Sequence, residues 1–110
     1  MWMQELWHKE KVIIGMLHPR YSAGDSLDTI IEHARMDFKA LINGGVDAVL
    51  ISNEFSFPYQ RKMDFVTVAC MARIIGEIKK DITVPFGVDA ISDGAATLEL
   101  ARAVDADFCR

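Results

Sequence analysis

Short apolar runs alternate along this chain with longer segments whose apolar residues recur at helical spacing, and this alternation constrains the fold more than any other feature. The runs are short and continuous, which is typical of strands covered on both faces. Strands are predicted at Val12–His18, Val46–Ser52, Phe86–Ile91 and Ala106–Arg110. Helices are predicted between them, with the first turns following Ser26, Asp64 and Asp93 and the ends falling near Asn43, Lys80 and Asp105.

Specific residues mark the ends of these helices. Ser26, Asp64 and Asp93 are of the types that cap a first helical turn. Gly44 and Gly45 should end the first helix, because glycine readily adopts the left-handed conformation of a C-cap. Short connections between alternating strands and helices require parallel strands and right-handed crossovers. The pattern therefore predicts an α/β protein, and both a (β/α)8 barrel and an open flavodoxin-like sheet satisfy it.

Composition limits the size of the fold and the classes of partner. A chain of 110 residues has room for one domain, and 51% hydrophobic with 25% charged residues is enough for a packed core. The net charge is −4, and the 12 Lys and Arg residues are scattered along the chain. Because binding to phosphate backbones requires clustered cations, we do not expect a nucleic-acid partner.

The cysteines and the first residues point to a cytoplasmic protein. Cys70 and Cys109 lie in apolar runs without metal-binding spacing, as expected of buried thiols in a reducing compartment. The sequence has no signal peptide at its start and no apolar stretch of the roughly 20 residues that a membrane helix needs. The leading apolar residues are expected to pack across the floor of the fold. They are Trp2, Met3, Leu6 and Trp7.

Polar residues follow the predicted strands at their carboxyl ends, where β/α proteins of either architecture place functional groups. They are His18, Asn53, Glu54, Asp89, Asp93 and Arg110. Imidazole and carboxylate groups act as general acids and bases, and they also bind hard divalent cations. Of these six residues, we interpret His18, Glu54 and Asp89 as candidate catalytic residues. The other three, Asn53, Asp93 and Arg110, are candidate ligand-binding residues, and no metal site is assigned.

A structural interpretation competes with this functional one. Polar residues end many strands simply because the chain leaves the core there, and helix capping is sufficient to explain Asp93. The sequence contains neither G-x-G-x-x-G nor G-x-x-x-x-G-K-[ST], so both standard nucleotide-binding loops are absent and the cofactor is unknown. The helix start at Ile91–Ala96 could hold a small anion on its amides, but its single glycine is not specific.

Several segments, in order and over nearly the whole chain, resemble the BtpA/SgcQ family. They are Val12–His18, Gly44–Phe55, Pro58, Val68–Ile75, Val84–Val88 and Ala106–Phe108. The most specific part is Gly-Gly-Val-Asp-Ala-Val from Gly44 onward, followed by Asn53 at the strand end. Ser52–Ser56 and the leading Trp-rich segment look closest to the SgcQ branch.

The resemblance implies a (β/α)8 barrel of the ribulose-phosphate-binding type, of which these residues would form the N-terminal half. It implies an enzyme-like protein that binds a small ligand, such as a sugar phosphate or a nucleotide phosphate, at the C-terminal rim. The SgcQ branch lies with sugar phosphotransferase and carbohydrate genes and is in places described as a nucleoside triphosphatase. Another branch is associated with photosystem I biogenesis, so the alternative is a non-catalytic assembly or stability factor for a membrane complex. The family offers no established catalytic residues to transfer.

Two departures from the family pattern and the length of the chain bear on activity. The loop Pro19–Asp25 is shorter than the family's usual loop, and Asp89 stands where an Asn is common, which would disfavour a nearby anion. A barrel's phosphate site is generally built after strands seven and eight, which lie outside this segment. A half-barrel also exposes strand edges and an apolar face. We therefore expect self-association or a missing C-terminal half, and no activity from this segment alone; a self-contained flavodoxin-like or dimeric module is the other possibility.

Overall fold

The predicted alternation of strands and helices is present in the computed structural model, which describes residues 5, 7–8, 10–19, 26–53 and 61–110. The strands are β1 (Ile14–Leu17), β2 (Ala48–Ser52), β3 (Phe86–Asp89) and β4 (Phe108–Cys109). The helices are α1 (Leu27–Asn43), α2 (Phe65–Ile78) and α3 (Gly94–Val104), and a 3-10 turn (Lys79–Asp81) follows α2.

The helices begin where the sequence predicts. The carboxylates of Asp64 and Asp93 accept hydrogen bonds from the third residue after each of them, at 3.1 and 3.0 Å. Ser26 occupies the N-cap position of α1, but its side chain makes no capping bond. Gly45 follows α1 with a φ of +89°, which glycine adopts without strain.

Two predictions about burial are wrong. The helical spacing of α3 predicts that Leu98, Ala101 and Val104 face the core. Val104 is buried, but Leu98 is exposed, and the other buried residues of α3 are Ala96, Thr97 and Leu100. The helical phase is set by these residues, which place Leu98 on the outer surface. Cys109 was expected to be a buried thiol, but it is exposed, because β4 is the last strand of the described sheet.

All the strand pairs of the described sheet are parallel, and the strands follow one another in the order β1-β2-β3-β4. In a flavodoxin-like sheet the order is 2-1-3-4-5, so β1 would lie between β2 and β3. Here β2 lies between β1 and β3. The described part is therefore an α/β unit with the sequential strand order that a β/α barrel uses.

The two faces of the sheet have different environments. One face packs on the helices, as shown by Gly15, where an added Cβ would lie 3.0 Å from Leu41 of α1. Leu17, Ile51 and Val88 share this face and belong to the main core. On the opposite face, away from α1, α2 and α3, β1 presents Ile14 and Met16, each 37% exposed. An apolar surface of the sheet is thus open at β1.

At the amino-terminal edge of the strands, Trp7 packs as expected for the floor of the fold. Its Nε1 donates to the carbonyl of Asp47 at 2.9 Å, and its ring meets Phe108 edge to face at a centroid distance of 6.0 Å. The Phe108 ring lies over Gly87 on β3, where an added Cβ would be 2.3 Å from the ring. The other leading residues of the predicted floor, Trp2, Met3 and Leu6, lie outside the described residues.

Within the part of the chain that the structure describes, no helix is both long enough and apolar enough to cross a membrane. α1, the longest, has 17 residues and several charged side chains.

Candidate ligand site at the carboxyl ends of the strands

A row of polar residues crosses the sheet at the carboxyl ends of its strands, one residue from each strand. Ser52 and Asp89 are direct register partners on β2 and β3. His18 follows Leu17, the partner of Ile51, so it is next to Ser52 in the register. Arg110 follows Cys109, the partner of Val88, and its backbone amide donates to the carbonyl of Val88 at 3.2 Å. We call these residues, His18, Ser52, Asp89 and Arg110, the rim row.

The middle of the rim row faces away from the helices. Side chains alternate between the faces of a strand, so Ser52 and Asp89 share the face of Leu50 and Gly87, two positions earlier. This face is opposite the one on which Gly15 meets α1, and on it Phe108 packs over Gly87. In a closed barrel this face lines the interior, and its carboxyl end is the mouth.

Charge in the rim row is concentrated on Asp89 and Arg110. The Nε of Arg110 lies 3.6 Å from Oδ2 of Asp89, whose side chain is only 10% exposed, whereas the Arg110 side chain is 66% exposed. Because the guanidinium is mostly in water, solvent weakens the attraction between these two groups. Asp89 is therefore a largely buried acid beside the exposed side chain of Arg110.

Ser52 and His18 supply further polar atoms to the same row. Ser52 is 0% exposed, and its Oγ has no hydrogen-bond partner among the described residues. The Nε2 of His18 is likewise shielded from solvent. Since nearly all buried polar atoms in folded proteins have a partner, the Ser52 hydroxyl requires an explanation.

Asn53 and Asp93 hold the loops that border the rim row. Oδ1 of Asn53, at the end of β2, accepts from the amide of Ile91 in the β3–α3 loop at 2.7 Å. Asp93 caps α3 with Oδ1 and accepts from the amide of Met63, just before α2, through Oδ2 at 2.6 Å. Asn53 thus joins β2 to the loop after β3, and Asp93 joins that loop to the start of α2.

Hydrogen bonding changes the acidity of Asp93. The amide of Ala96 is the largest cause that lowers the pKa of this carboxyl below its usual value of 3.8, and the amide of Met63 is the next. Burial acts in the opposite direction, but the hydrogen bonds to the ionised form outweigh it. Asp93 is accordingly held as a carboxylate.

The structure brings three of the predicted site residues, His18, Asp89 and Arg110, into one row. Asn53 and Asp93 are at the same edge, engaged with backbone amides of the loops. Glu54 lies outside the described residues. Ser52 was not predicted as a site residue. The signal that could have identified it is the alternation of side chains along a strand, because Ser52, two positions after Leu50, shares its face and Asn53 does not.

Other concave or ligating features were compared with the rim row. A groove of about 630 Å³ on the outer side of the fold includes Arg35 and Asp81 among its lining residues, but these two pair with each other at 3.1 Å. No group of three or more His, Cys, Asp or Glu side chains within residues 10–19, 26–53 and 61–110 is placed to hold a metal ion. The rim row remains the best-defined polar site in the described structure.

The fold and this row define an α/β protein with a sequentially ordered parallel sheet and a polar site at the carboxyl ends of its strands. Comparison with known families agrees with that description: the BtpA family model matches residues 9–110. The chain belongs to the BtpA family, as the sequence resemblance predicts.

Relatives come from bacteria and archaea. The sgc region protein SgcQ of Escherichia coli is 45% identical, over 99% of this chain and 43% of its own length. An uncharacterised protein of Methanocaldococcus jannaschii is 34% identical, over 93% of this chain and 41% of its own. The photosystem I biogenesis protein BtpA of Synechocystis is 30% identical, over 79% of this chain and 31% of its own. The chain thus spans less than half the length of these relatives, and no solved structure matches it.

Proposed function

We propose that this chain forms the N-terminal part of a (β/α)8 barrel of the ribulose-phosphate-binding type, and that the barrel binds a small phosphorylated ligand at its C-terminal rim. The observation that carries the proposal is the rim row: buried Ser52 and Asp89 are side by side at the carboxyl ends of β2 and β3, on the face opposite α1, α2 and α3. A sugar phosphate or a nucleotide phosphate is the proposed ligand class, and the cytoplasm is the proposed location.

The open face of β1 supports the barrel. Ile14 and Met16 are apolar and partly exposed on the side of the sheet opposite α1, α2 and α3. Further strands curling around this face would bury both side chains, as the interior of a barrel does. The lengths of the relatives leave room for those strands, since SgcQ is matched over only 43% of its length. Alternatively, a second copy of the chain could bury Ile14 and Met16 by self-association through the same face.

Within the proposed site, His18, Glu54 and Asp89 act on the ligand as acid and base groups. Imidazole and carboxylate side chains are common general acids and bases in enzymes. Arg110, largely exposed beside Asp89, is free to turn toward an anionic group of the ligand. Direct ligand contact by Asn53 and Asp93 stays a prediction, and their observed bonds support a role in shaping the loops.

Binding of D-ribose 5-phosphate tests this proposal. The titrations use the 110-residue chain and a chimera in which the part of SgcQ beyond the matched segment follows Arg110. We expect calorimetric binding by the chimera, weakened at least tenfold by His18→Ala and by Asp89→Asn. His33→Ala is the matched control, because His33 is exposed on α1. Unchanged binding in both rim variants, or no binding by the chimera, would refute the proposal.

A second candidate is the assembly or stability factor, and exposed apolar side chains on α2 favour it. Phe65 and Val66 are 87% and 66% exposed at the start of that helix. Adjacent apolar side chains on a surface are common in protein contacts. If this function holds, the double variant Phe65→Ser/Val66→Ser should reduce co-sedimentation with membranes that contain the partner complex, and Leu98→Ser should not. Equal co-sedimentation of both variants and the unmodified protein would exclude this surface.

A further inference from the structure

We infer that Thr97 of α3 is a positioning residue of the ligand site, which holds Asp89 of the rim row in place through the backbone amide of Ala90. The inference rests on the proposed ligand site and adds to it a residue that does not itself lie at the rim. Thr97 is in the first turn of α3 and only 3% exposed, so a ligand at the rim would feel it only through other residues.

The hydroxyl of Thr97 takes part in two kinds of hydrogen bond. As a donor, it lies 2.9 Å from the carbonyl of Asp93 and 3.1 Å from the carbonyl of Ala90. The bond to a carbonyl four residues earlier is common for threonine in helices and is enough to satisfy the hydroxyl hydrogen. As an acceptor, the same oxygen receives the amide hydrogen of Ala90 at 2.9 Å. This last bond joins α3 to the end of β3, and the helix itself does not require it.

The amide that Thr97 accepts belongs to the peptide group that follows Asp89. β3 ends at Asp89, so Ala90 is the first residue beyond the strand. The peptide group between them is planar, and its orientation is set by the ψ angle of Asp89. On the other side, the register with Ser52 of β2 holds Asp89 in the ladder. The backbone of Asp89 is thus held from both sides, which fixes the direction of its Cα–Cβ bond.

The turn after β3 has a conformation that its surroundings must maintain. Ser92 has a φ of +68°, in the left-handed region that is unfavourable for a residue with a Cβ. Two side chains hold the preceding amides: Asn53 accepts from Ile91 at 2.7 Å, and Thr97 accepts from Ala90. Without the Thr97 hydroxyl, the buried amide of Ala90 would lose its acceptor, and the turn would relax toward a new one. We therefore expect a local shift of the Asp89 carboxylate.

Two substitutions at Thr97 separate the effect of the hydroxyl from that of the side-chain shape. Thr97→Val keeps the shape and removes the hydroxyl, whereas Thr97→Ser keeps the hydroxyl. In calorimetric titrations of the chimera with D-ribose 5-phosphate, we expect Thr97→Val to weaken binding by about tenfold or more, because small displacements of a binding group are costly. Thr97→Ser should bind within about twofold of the unsubstituted chimera, since the bond to Ala90 is retained.

A control variant separates positioning from a general loss of stability. Val104 is buried at the opposite end of α3, away from the rim. Val104→Ala should lower the urea midpoint, as Thr97→Val does, because both changes affect buried groups. Only Thr97→Val should weaken the binding of D-ribose 5-phosphate.

A double-mutant cycle tests whether Thr97 acts through Asp89. In the Asp89→Asn background, Thr97→Val should weaken binding by less than about twofold, because the group that it positions is already altered. Amide hydrogen exchange in the 110-residue chain tests the bond itself, without ligand and without any substitution. The amide of Ala90 should exchange slowly, as buried hydrogen-bonded amides do.

Four results would overturn the inference and leave the ligand site in place. They are unchanged binding by Thr97→Val, equal weakening by Thr97→Ser or Val104→Ala, equal weakening by Thr97→Val in both backgrounds of the cycle, and rapid exchange of the Ala90 amide. The exchange result stands even if Thr97→Val does not fold. Absence of binding by the unsubstituted chimera would refute the proposed function, and the inference with it.

Discussion

Replacing Gly87 by alanine should force β4 away from β3. The new Cβ would lie 2.3, 2.4 and 2.8 Å from three atoms of the Phe108 ring, whereas ordinary contact begins at 3.4 Å, so the ring must move by about 1 Å. Overpacking of this kind typically costs about 1–3 kcal/mol of the free energy of unfolding. For a domain of this size that corresponds to a fall in Tm of roughly 4–20 °C.

A double-mutant cycle, measured by urea unfolding, isolates this contact. In the Phe108→Ala background the clash is absent, so Gly87→Ala should cost less than about 0.5 kcal/mol or be slightly stabilising. Gly76→Ala is the control: Gly76 has open space around its Cβ position in α2, and the substitution should stabilise the helix by about 0.5–1 kcal/mol. If Gly87→Ala costs the same in both backgrounds, Phe108 does not lie over Gly87 and the β3–β4 register is incorrect.

The remaining predictions concern the loops and α3. Asn53→Ala should lower the free energy of unfolding by about 1–3 kcal/mol because it removes the acceptor of a loop amide, whereas exposed Asn43→Ala should change it by less than about 0.5 kcal/mol, both by urea titration. The pKa of Asp93 is lowered on folding, so its contribution to the free energy of unfolding is present above about pH 3.8 and is lost as the pH falls through the folded pKa. In urea titrations at a series of pH values, Asp93→Asn should therefore lose less stability below about pH 4 than the unsubstituted chain does. Leu98→Glu should be tolerated and Leu100→Glu should cost more than about 3 kcal/mol, and thermal melts giving the opposite order would contradict the observed phase of α3.

The order of the elements could be predicted from the sequence because each boundary has a local chemical signal. Asp64 and Asp93 cap their helices as predicted, and Gly45 ends the turn after α1. The strands are shorter than predicted because the ladder begins later than the apolar run. Ile13 illustrates this: its amide donates to the side chain of Asp47 at 2.9 Å, so Ile13 lies before β1 in a side-chain contact.

The choice between a flavodoxin-like order and a sequential one could not be made from the sequence. Strand order depends on the edge at which each strand joins the sheet after its connecting helix. This is a tertiary property, and the periodicity of the sequence does not encode it. The structure places β2 between β1 and β3. The phase of α3 was also beyond the sequence pattern, because both Leu98 and Leu100 are apolar in a helix of only 11 residues.

The candidate site was predicted in part. The carboxyl ends of the strands identify the edge, which explains why His18, Asp89 and Arg110 are found together. Their grouping with Ser52 depends on register and on side-chain parity, which require the paired strands. Polarity alone favoured Asn53 as a ligand-binding residue, but its Oδ1 accepts a hydrogen bond from the amide of Ile91.

Whether the rim row binds the ligand is tested most directly by a ¹⁵N-resolved NMR titration of the chimera with D-ribose 5-phosphate. We expect the largest amide shift changes at His18, Ser52, Asp89 and Arg110, with little change at Asp47 on the opposite edge of the sheet. Changes confined to Asp47 and its neighbours, or to the outer groove around Arg35, would contradict this expectation.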